Sequence, residues 1–307
     1  MDFSTFIASE ATAIAEGAIL ERVRRNPSIV LDPHILNGGL VYEPASRTLL
    51  AQIHTGYMQS ARAVGLPILA FTDTWRCSRK AIEASRFKGL SVNEDNARFL
   101  LDLRTGMGEG SPIFVGGIVG PSGDAYKPAD SLDRVGARDF HRPQIQALAS
   151  SGVDFLFLAT APSVDEALGV ADVMSETGLP YIVSFVIRRT GVVLDGTPLG
   201  RAIASIDAET SRPPAGYAVN CVHARVLESA LETIPPHQAR RLLTFQANTG
   251  DLEVEDLDES AELITEAPDT FVDGLERLRS RFGLRVLGGC CGTDDQHIAA
   301  LARRLTR

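Results

Sequence analysis

The sequence predicts a (β/α)8 barrel with an additional N-terminal helix, built as one domain over residues 1–307. Short apolar runs recur along the chain, and longer helix-like segments separate them. The chain also has the length that such a barrel needs, typically about 250 residues. An open, doubly wound sheet is the alternative that this alternation leaves open.

The predicted strands are short and mostly apolar, as expected for parallel strands that are buried on both faces. Runs such as VDFLFLA and PYIVSFVI show the pattern most clearly. In chain order, the predicted strands are His34–Val41, Leu66–Phe71, Pro112–Ile118, Val153–Leu158, Pro180–Val186, Gly216–Cys221, Leu242–Gln246 and Leu284–Gly289.

The predicted helices carry apolar residues at helical spacing. At the N-terminus, the spacing from Phe3 to Leu20 predicts one helix that packs across the bottom of the barrel. The others are Arg47–Val64, Asn93–Arg104, His141–Ser150, Val164–Thr177, Thr197–Ile206, Arg225–Glu232, Asp269–Arg281 and Asp294–Thr306, with an acidic segment, Asp251–Glu266, before the seventh of them.

Composition narrows the class of protein. Hydrophobic residues make up 44% of the chain and charged residues 22%, which suits a large buried core. The net charge of -9 argues against a nucleic-acid partner, which would require a basic surface. No apolar run approaches the roughly 18 residues that cross a bilayer. We therefore expect a cytoplasmic protein without a membrane partner.

Three of the four cysteines come at the ends of predicted strands. Cys221 ends strand six, and Cys290 and Cys291 follow strand eight. Active sites of such barrels form at the carboxyl-terminal ends of the strands, so the topology predicts that these thiols meet. Three thiolates with one open position are typical of a catalytic zinc site. Buried apolar cysteines, a strained disulfide or a redox dithiol are the alternatives.

The motifs around these cysteines resemble those of the zinc-dependent homocysteine S-methyltransferase family. The specific ones are GYAVNC and LGGCCGTDDQHI. Weaker similarities follow in the family's order along nearly the whole chain: ILNGGLVYE, VGGIVGPSGD, SGVDFLFLAT, VSFVI with LDGTPL, and QANTGD. The resemblance strengthens the zinc assignment to Cys221, Cys290 and Cys291.

The resemblance implies transfer of a methyl group from a small donor to the thiol of homocysteine, which gives methionine. The donor would be S-methylmethionine, S-adenosylmethionine or betaine. A thiol bound to zinc loses its proton, and three cysteinates around Zn²⁺ leave a formal charge of -1. No catalytic residue beyond the zinc ligands is expected. The implied substrate contacts are Asn37, Gly38, Gly39, Thr160, Ser184, Asn220 and Asn248.

Two positions depart from the family pattern. The loop after the first strand usually begins with Asp, and that position is interpreted here as Asn37. Strand four usually ends with a Glu that holds the amino-acid end of homocysteine, and Ala159 stands there. An ammonium group without partners would bind poorly. Either Glu43 or Asp73 replaces the lost carboxylates, or the substrate is a different thiol.

Two further functions stay open at this point. A zinc-dependent hydrolase or lyase would use His or carboxylate ligands, and the chain has no His-x-His pair. A zinc-binding relative without catalysis is the other. Cys77 is either a fourth zinc ligand or a buried spectator thiol, and we expect the spectator. His223 is chemically suited to bind zinc, but the three-cysteine set does not require it. Aromatic residues at strand ends, Trp75, Tyr42, Phe71 and Tyr181, are candidates for a cage around an onium donor.

Overall fold

The chain forms a closed barrel of eight parallel strands, each paired with its neighbours in chain order. The computed structural model describes residues 1–253, 256 and 263–306. The strands are β1 Ala13–Ala15, β2 Ile68–Phe71, β3 Ile113–Val119, β4 Phe155–Ala161, β5 Tyr181–Phe185, β6 Gly216–His223, β7 Leu242–Asn248 and β8 Val286–Gly289. The predicted (β/α)8 barrel is confirmed.

Helices surround the barrel and connect its strands. They are α1 Phe3–Ala8, α2 Leu20–Arg24, α3 Pro44–Arg62, α4 Arg79–Ala84, α5 Val92–Gly106, α6 Arg134–Ser150, α7 Val164–Glu176, α8 Leu199–Glu209, α9 Ala224–Thr233, α10 Pro236–Ala239, α11 Pro268–Phe282 and α12 Asp295–Leu305. Short 3-10 helices span Asn37–Tyr42 and Pro128–Asp130. The acidic segment 251–266 lies partly outside the described residues. Within the described part of the chain, no helix has the length and apolar character required to traverse a bilayer.

The first strand differs from the prediction. It is Ala13–Ala15, which pairs with β2 and β8 and so closes the barrel. The predicted strand His34–Val41 is wrong, because it contains a tight 3-10 turn instead. A three-residue strand rich in alanine is too short to show alternation, and alanine favours helices. Its apolar residues therefore fitted the helical periodicity of the N-terminal segment, and the strand was predicted as part of a helix.

Helix α1 closes the amino-terminal end of the barrel, which confirms the predicted position of the N-terminal helix. Its predicted extent to Leu20 is wrong, because the helix ends at Ala8 and β1 follows it. Phe3 stacks on Phe155, with ring centroids 4.2 Å apart, and Phe6 contacts Phe114. Phe155 is the first residue of β4, so this contact lies at the bottom of the barrel. The guanidinium of Arg285 donates hydrogen bonds to the carbonyls of residues 7 and 9, which hold the end of the helix. The opposite end is therefore the one left open for a site.

Two strands carry an irregularity at their carboxyl-terminal ends. Thr160 in β4 and Cys221 in β6 have positive φ angles of 56° and 59°. The pairing registers of both strands shift at these residues. In a regular strand, neighbouring side chains face opposite sides of the sheet. Here Ala159 and Thr160 both line the same cavity, and so do Asn220 and Cys221.

Candidate metal centre

Cys221, Cys290 and Cys291 meet at the carboxyl-terminal end of the barrel, as predicted. Their sulfur atoms lie within 4.8 Å of one another, and those of Cys221 and Cys290 are 2.6 Å apart. All three residues line one cavity. A tetrahedral zinc ion with bonds of about 2.3 Å would need sulfur atoms about 3.8 Å apart. The observed sulfur separations, from 2.6 Å up to 4.8 Å, bracket that spacing, and the donor set of three thiols suits zinc, so the residues fit a metal ion.

Contacts among the three thiols favour a charged sulfur. Hydrogen bonds from Cys221 and Cys291 hold the pKa of Cys290 well below its ordinary value. Hydrogen bonds to Cys290 and Cys291 raise the pKa of Cys221 instead. The contacts within the trio thus lower the pKa of Cys290, and the thiolate is the form in which cysteine binds metals.

The positive φ of Cys221 turns its thiol into the cavity, and Asn220 supports it. The side-chain carbonyl of Asn220 accepts hydrogen bonds from Ser184 Oγ at 2.6 Å and the Thr160 amide at 3.1 Å. These contacts orient its amide nitrogen toward Cys221 Sγ, 3.6 Å away. Ser184 is fully buried, and Thr160 also accepts a hydrogen bond from the Trp75 indole.

Asn248, the last residue of β7, connects Cys221 on β6 with Cys291 after β8. Its Nδ2 donates to the Cys221 carbonyl at 2.9 Å, and its Oδ1 accepts from the Cys291 amide at 3.1 Å. After Cys291 the chain turns at Gly292, whose φ is +85°. A side chain at Gly292 would also collide with Thr249, so this turn requires glycine.

The cavity at this end of the barrel has a volume of about 830 Å³. Phe71 and Trp75 line it, and the guanidinium group of Arg76 stacks over the Trp75 ring, 4.4 Å from its centroid. Two other candidates for an aromatic cage lie elsewhere. Tyr181 begins β5 at the opposite end of the barrel, and Tyr42 stacks on Phe87 while its hydroxyl donates to Asp95.

Asn37 does not follow the first strand, and that expectation is wrong. Glu16 and Gly17 come directly after β1, about twenty residues before the turn that contains Asn37. Glu16 lines the cavity, so a carboxylate is present at the end of the first strand after all. The misplaced first strand caused the error, and only Ala159 remains without a carboxylate.

The Asn37–Gly38–Gly39 turn packs against the loop after β2. Asn37 lines the cavity and donates a hydrogen bond of 2.6 Å to Asp73. A side chain at Gly38 would collide with Cys77, and one at Gly39 with Phe87. The two glycines thus permit close packing of the turn and place Asn37 beside Asp73.

Cys77 and His223, considered as further zinc ligands, and Glu43, considered as a partner of the ammonium group, all have other contacts. Cys77 is fully buried, and burial raises the pKa of its thiol. His223 caps helix α9 and lies 3.7 Å from Asp251 and 3.5 Å from Glu266. Glu43 forms an ion pair with Arg86 at 2.5 Å. Of the two carboxylates considered for the ammonium group, Asp73 is the one that lines the cavity.

A buried histidine that the sequence did not single out lies behind the cavity wall. His54 Nδ1 is 2.6 Å from Glu16 Oε1, and its Nε2 is 3.1 Å from Asp73 Oδ2. Burial alone would lower the pKa of His54, but the charges of Glu16 and Asp73 raise it to about 10. His54 lies on α3, and no spacing in the sequence connects it to either carboxylate.

The fold and the site define a (β/α)8 barrel with a cluster of three thiols that could hold a metal ion at the carboxyl-terminal ends of its strands. The homocysteine S-methyltransferase family model matches residues 13–305, from the first residue of β1 to the last helix. The chain belongs to this family. The match begins at the observed first strand, in agreement with the position of Glu16.

Relatives and solved structures agree with this assignment. Homocysteine S-methyltransferase YbgG of Bacillus subtilis is 25% identical, with 84% of each chain covered. Homocysteine S-methyltransferase 2 of Arabidopsis thaliana is 29% identical over 63% of this chain, and the match spans 60% of that relative. The metallated homocysteine methyltransferase MmuM of Escherichia coli has the same fold, with a TM-score of 0.74, 20% identity and 98% and 99% of the two chains covered.

Proposed function

We propose that the protein is a zinc-dependent methyltransferase that moves a methyl group from a small donor to the thiol of homocysteine and so forms methionine. The observation that carries the proposal is the meeting of Cys221, Cys290 and Cys291 at the wall of a large cavity. Thiolates are preferred ligands of zinc, and a three-thiolate set leaves a position for a substrate. A cytoplasmic location, which keeps thiols reduced, suits this site.

The chemistry requires a deprotonated thiol. Cys221, Cys290 and Cys291 would hold a zinc ion, which would supply this thiolate by lowering the pKa of a bound thiol. The methyl group then leaves an onium sulfur or nitrogen of the donor, and the thiol sulfur bonds to it. The donor departs with the electron pair of the broken bond, as a neutral sulfide or amine, and the thiol proton passes to solvent. S-methylmethionine, S-adenosylmethionine and betaine all carry a methyl group on an onium sulfur or nitrogen and are therefore suitable donors.

The protein's own residues bind the substrate and hold the ligands in place. Asn220 and Asn248 fix the Cys221 side chain and carbonyl through the hydrogen bonds described above. Glu16 and Asp73 bring carboxylates to the cavity that holds the thiols. Of the implied substrate contacts, those of Asn37, Thr160, Asn220 and Asn248 remain part of the proposal, because these residues line the cavity. Gly38, Gly39 and Ser184 lie behind it, where they support Asn37 and Asn220. A different thiol is the alternative acceptor, since Ala159 removes one expected carboxylate.

Metal analysis of purified variants tests the site. Cys290→Ala should lose zinc and activity together, because two thiolates do not hold the ion firmly. Cys77→Ala is the matched control, since this thiol is fully buried away from the cluster and its loss should leave the zinc content unchanged. Retention of one zinc per chain by the double variant Cys221→Ala/Cys290→Ala would refute the assignment of the metal.

Methyl transfer is tested with the zinc-loaded protein and a panel of thiols. Homocysteine and other small thiols are each combined with S-methylmethionine, S-adenosylmethionine and betaine, and the methylated product is measured. We expect methionine from homocysteine with one of the donors. Methylation of another thiol without methionine formation would favour the alternative acceptor. A zinc-loaded protein that methylates no thiol would refute the proposed reaction.

A further inference from the structure

Glu16, His54 and Asp73 form a continuous buried array along the cavity wall. His54 is fully buried between the two carboxylates, at 2.6 Å from Glu16 and 3.1 Å from Asp73. Glu16 is 1% exposed and Asp73 6% exposed, yet both line the cavity that holds the cysteines. The carbonyl of Glu16 also accepts from the Gly289 amide, directly before Cys290, so the array adjoins the metal centre.

The three side chains carry an excess of negative charge. With the pKa of His54 near 10, the imidazole is protonated at neutral pH and contributes one positive charge. The array therefore holds two acidic side chains, Glu16 and Asp73, on either side of one basic side chain. A buried charge without a partner is unfavourable, so a cationic group of a ligand in the cavity would be stabilised here.

Asp73 is the member of the array best placed to meet a ligand. Its Oδ1 accepts from Asn37 and its Oδ2 contacts His54, so each oxygen keeps one further acceptor position. Glu16 is the more enclosed of the two carboxylates, and the Phe71 amide donates to its Oε2 at 2.8 Å. The small side chain of Ala159 also lines the cavity and leaves space where a larger residue would reach.

We propose that Asp73 is the specificity-determining residue that selects thiol substrates with an ammonium group, and that His54 and Asn37 are its positioning residues. This inference rests on the proposed function, which requires that a thiol binds in the cavity. Asp73 thereby supplies from the loop after β2 the negative charge that is absent at Ala159 on β4. The substrate class is a small thiol that carries an ammonium group.

The test compares two thiols that differ only in the ammonium group. Homocysteine and 4-sulfanylbutanoic acid have the same carbon chain, carboxylate and thiol, and their binding to the zinc-loaded protein is measured by calorimetry. The wild-type protein should bind homocysteine at least about tenfold more tightly, because only its ammonium group can form a charge-assisted hydrogen bond with Asp73. In Asp73→Asn this ratio should fall toward one, with 4-sulfanylbutanoic acid bound about as well as before.

The matched control is Asp124→Asn. Asp124 also lines the cavity and loses the same charge, but its carboxylate caps the Tyr126 amide and pairs with Lys127. Its variant should keep the wild-type ratio. If Asp73→Asn does not fold, Asp73→Ser removes the charge with a smaller side chain and should lower the ratio in the same way. A merely structural role of Asp73 would weaken both thiols equally and leave the ratio unchanged.

The outcomes separate the two proposals. Equal binding of both thiols to the wild-type protein would overturn the role of Asp73 and leave thiol methylation standing. The same is true if Asp73→Asn and Asp124→Asn retain equal ratios. If neither thiol binds to the zinc-loaded wild-type protein, the proposed function fails, and this inference fails with it.

Discussion

Replacement of Asn248 by Asp should weaken zinc binding without unfolding the barrel. The Asn248 amide donates to the Cys221 carbonyl and accepts from the Cys291 amide, at 2.9 and 3.1 Å. Aspartate has nearly the same shape and keeps the acceptor for Cys291. It has no proton to donate to the Cys221 carbonyl, and it adds a negative charge beside the thiolates. One change thus removes the link that fixes Cys221 relative to Cys291.

The magnitude follows from the contacts of the Cys221 carbonyl. The register shift between Asn220 and Val222 takes Cys221 out of the regular pairing of β6 with β7, so the Asn248 side chain supplies its hydrogen bond. A buried carbonyl that loses its donor costs about 1–3 kcal/mol. Because this contact holds Cys221 in the position that zinc binding requires, its loss should destabilise the zinc-bound protein more than the metal-free protein. Zinc affinity should therefore decrease roughly 10–100-fold, the range typical for residues that support metal ligands.

A competition titration with a chromophoric chelator measures the zinc affinity. Asn93→Asp is the matched control, because Asn93 donates in the same way to the carbonyl of a cysteine, Cys77, at 3.0 Å. That cysteine lies outside the cluster, so the control should lose stability but retain zinc affinity. Wild-type zinc affinity in Asn248→Asp, or an equal loss in both variants, would refute the reasoning.

Three further predictions concern other parts of the molecule. His54 should carry protons on both ring nitrogens at pH 8, since its pKa is raised to about 10; its contribution to stability is complete below about pH 6.5 and is lost as the pH rises through 10. A neutral ring in a ¹H–¹⁵N spectrum at pH 8 would contradict this. Glu166→Gln should lower the free energy of unfolding by about 1–3 kcal/mol, because Glu166 accepts from the Ser122 amide and contacts His141. Urea unfolding measures this loss, and limited proteolysis should show faster cleavage of the loop after β3, which contains Ser122. An unchanged unfolding curve would show that Glu166 does not hold this loop in place. Phe3→Ala should cost about 3 kcal/mol in the same urea measurement, as expected for a buried aromatic side chain, whereas a loss below about 1 kcal/mol would show that α1 does not stabilise the barrel.

The sequence predicted those parts of the site that local motifs and topology determine. The Cys-Cys pair after β8 and the Asn-Cys pair in β6 stand at strand ends, and barrel closure brings strand ends together. Seven of the eight strands were long and apolar enough to be recognised. The first strand, Ala13–Ala15, was not, since three small residues give no periodic signal. That error placed Asn37 where Glu16 belongs.

Contacts between distant parts of the chain could not be predicted in the same way. His54 lies in the middle of α3, where its spacing fits an ordinary buried helix position. Its contacts with Glu16 and Asp73 depend on how α3 packs against β1 and β2, which no local pattern encodes. The positive φ angles of Thr160 and Cys221 are equally invisible, because neither residue type favours that conformation.

The left-handed residues in β4 and β6 have a consequence for protein engineering. A designer who grafts three cysteines onto the strand ends of a regular barrel would aim the counterpart of Cys221 into the layer between strands and helices, since its neighbour Asn220 already faces inward. The grafted segment therefore has to include the shift in strand register at Cys221 and the Asn248 side chain that bonds its carbonyl. The unit that can be moved between scaffolds is a distorted strand end, and the three thiols alone are insufficient.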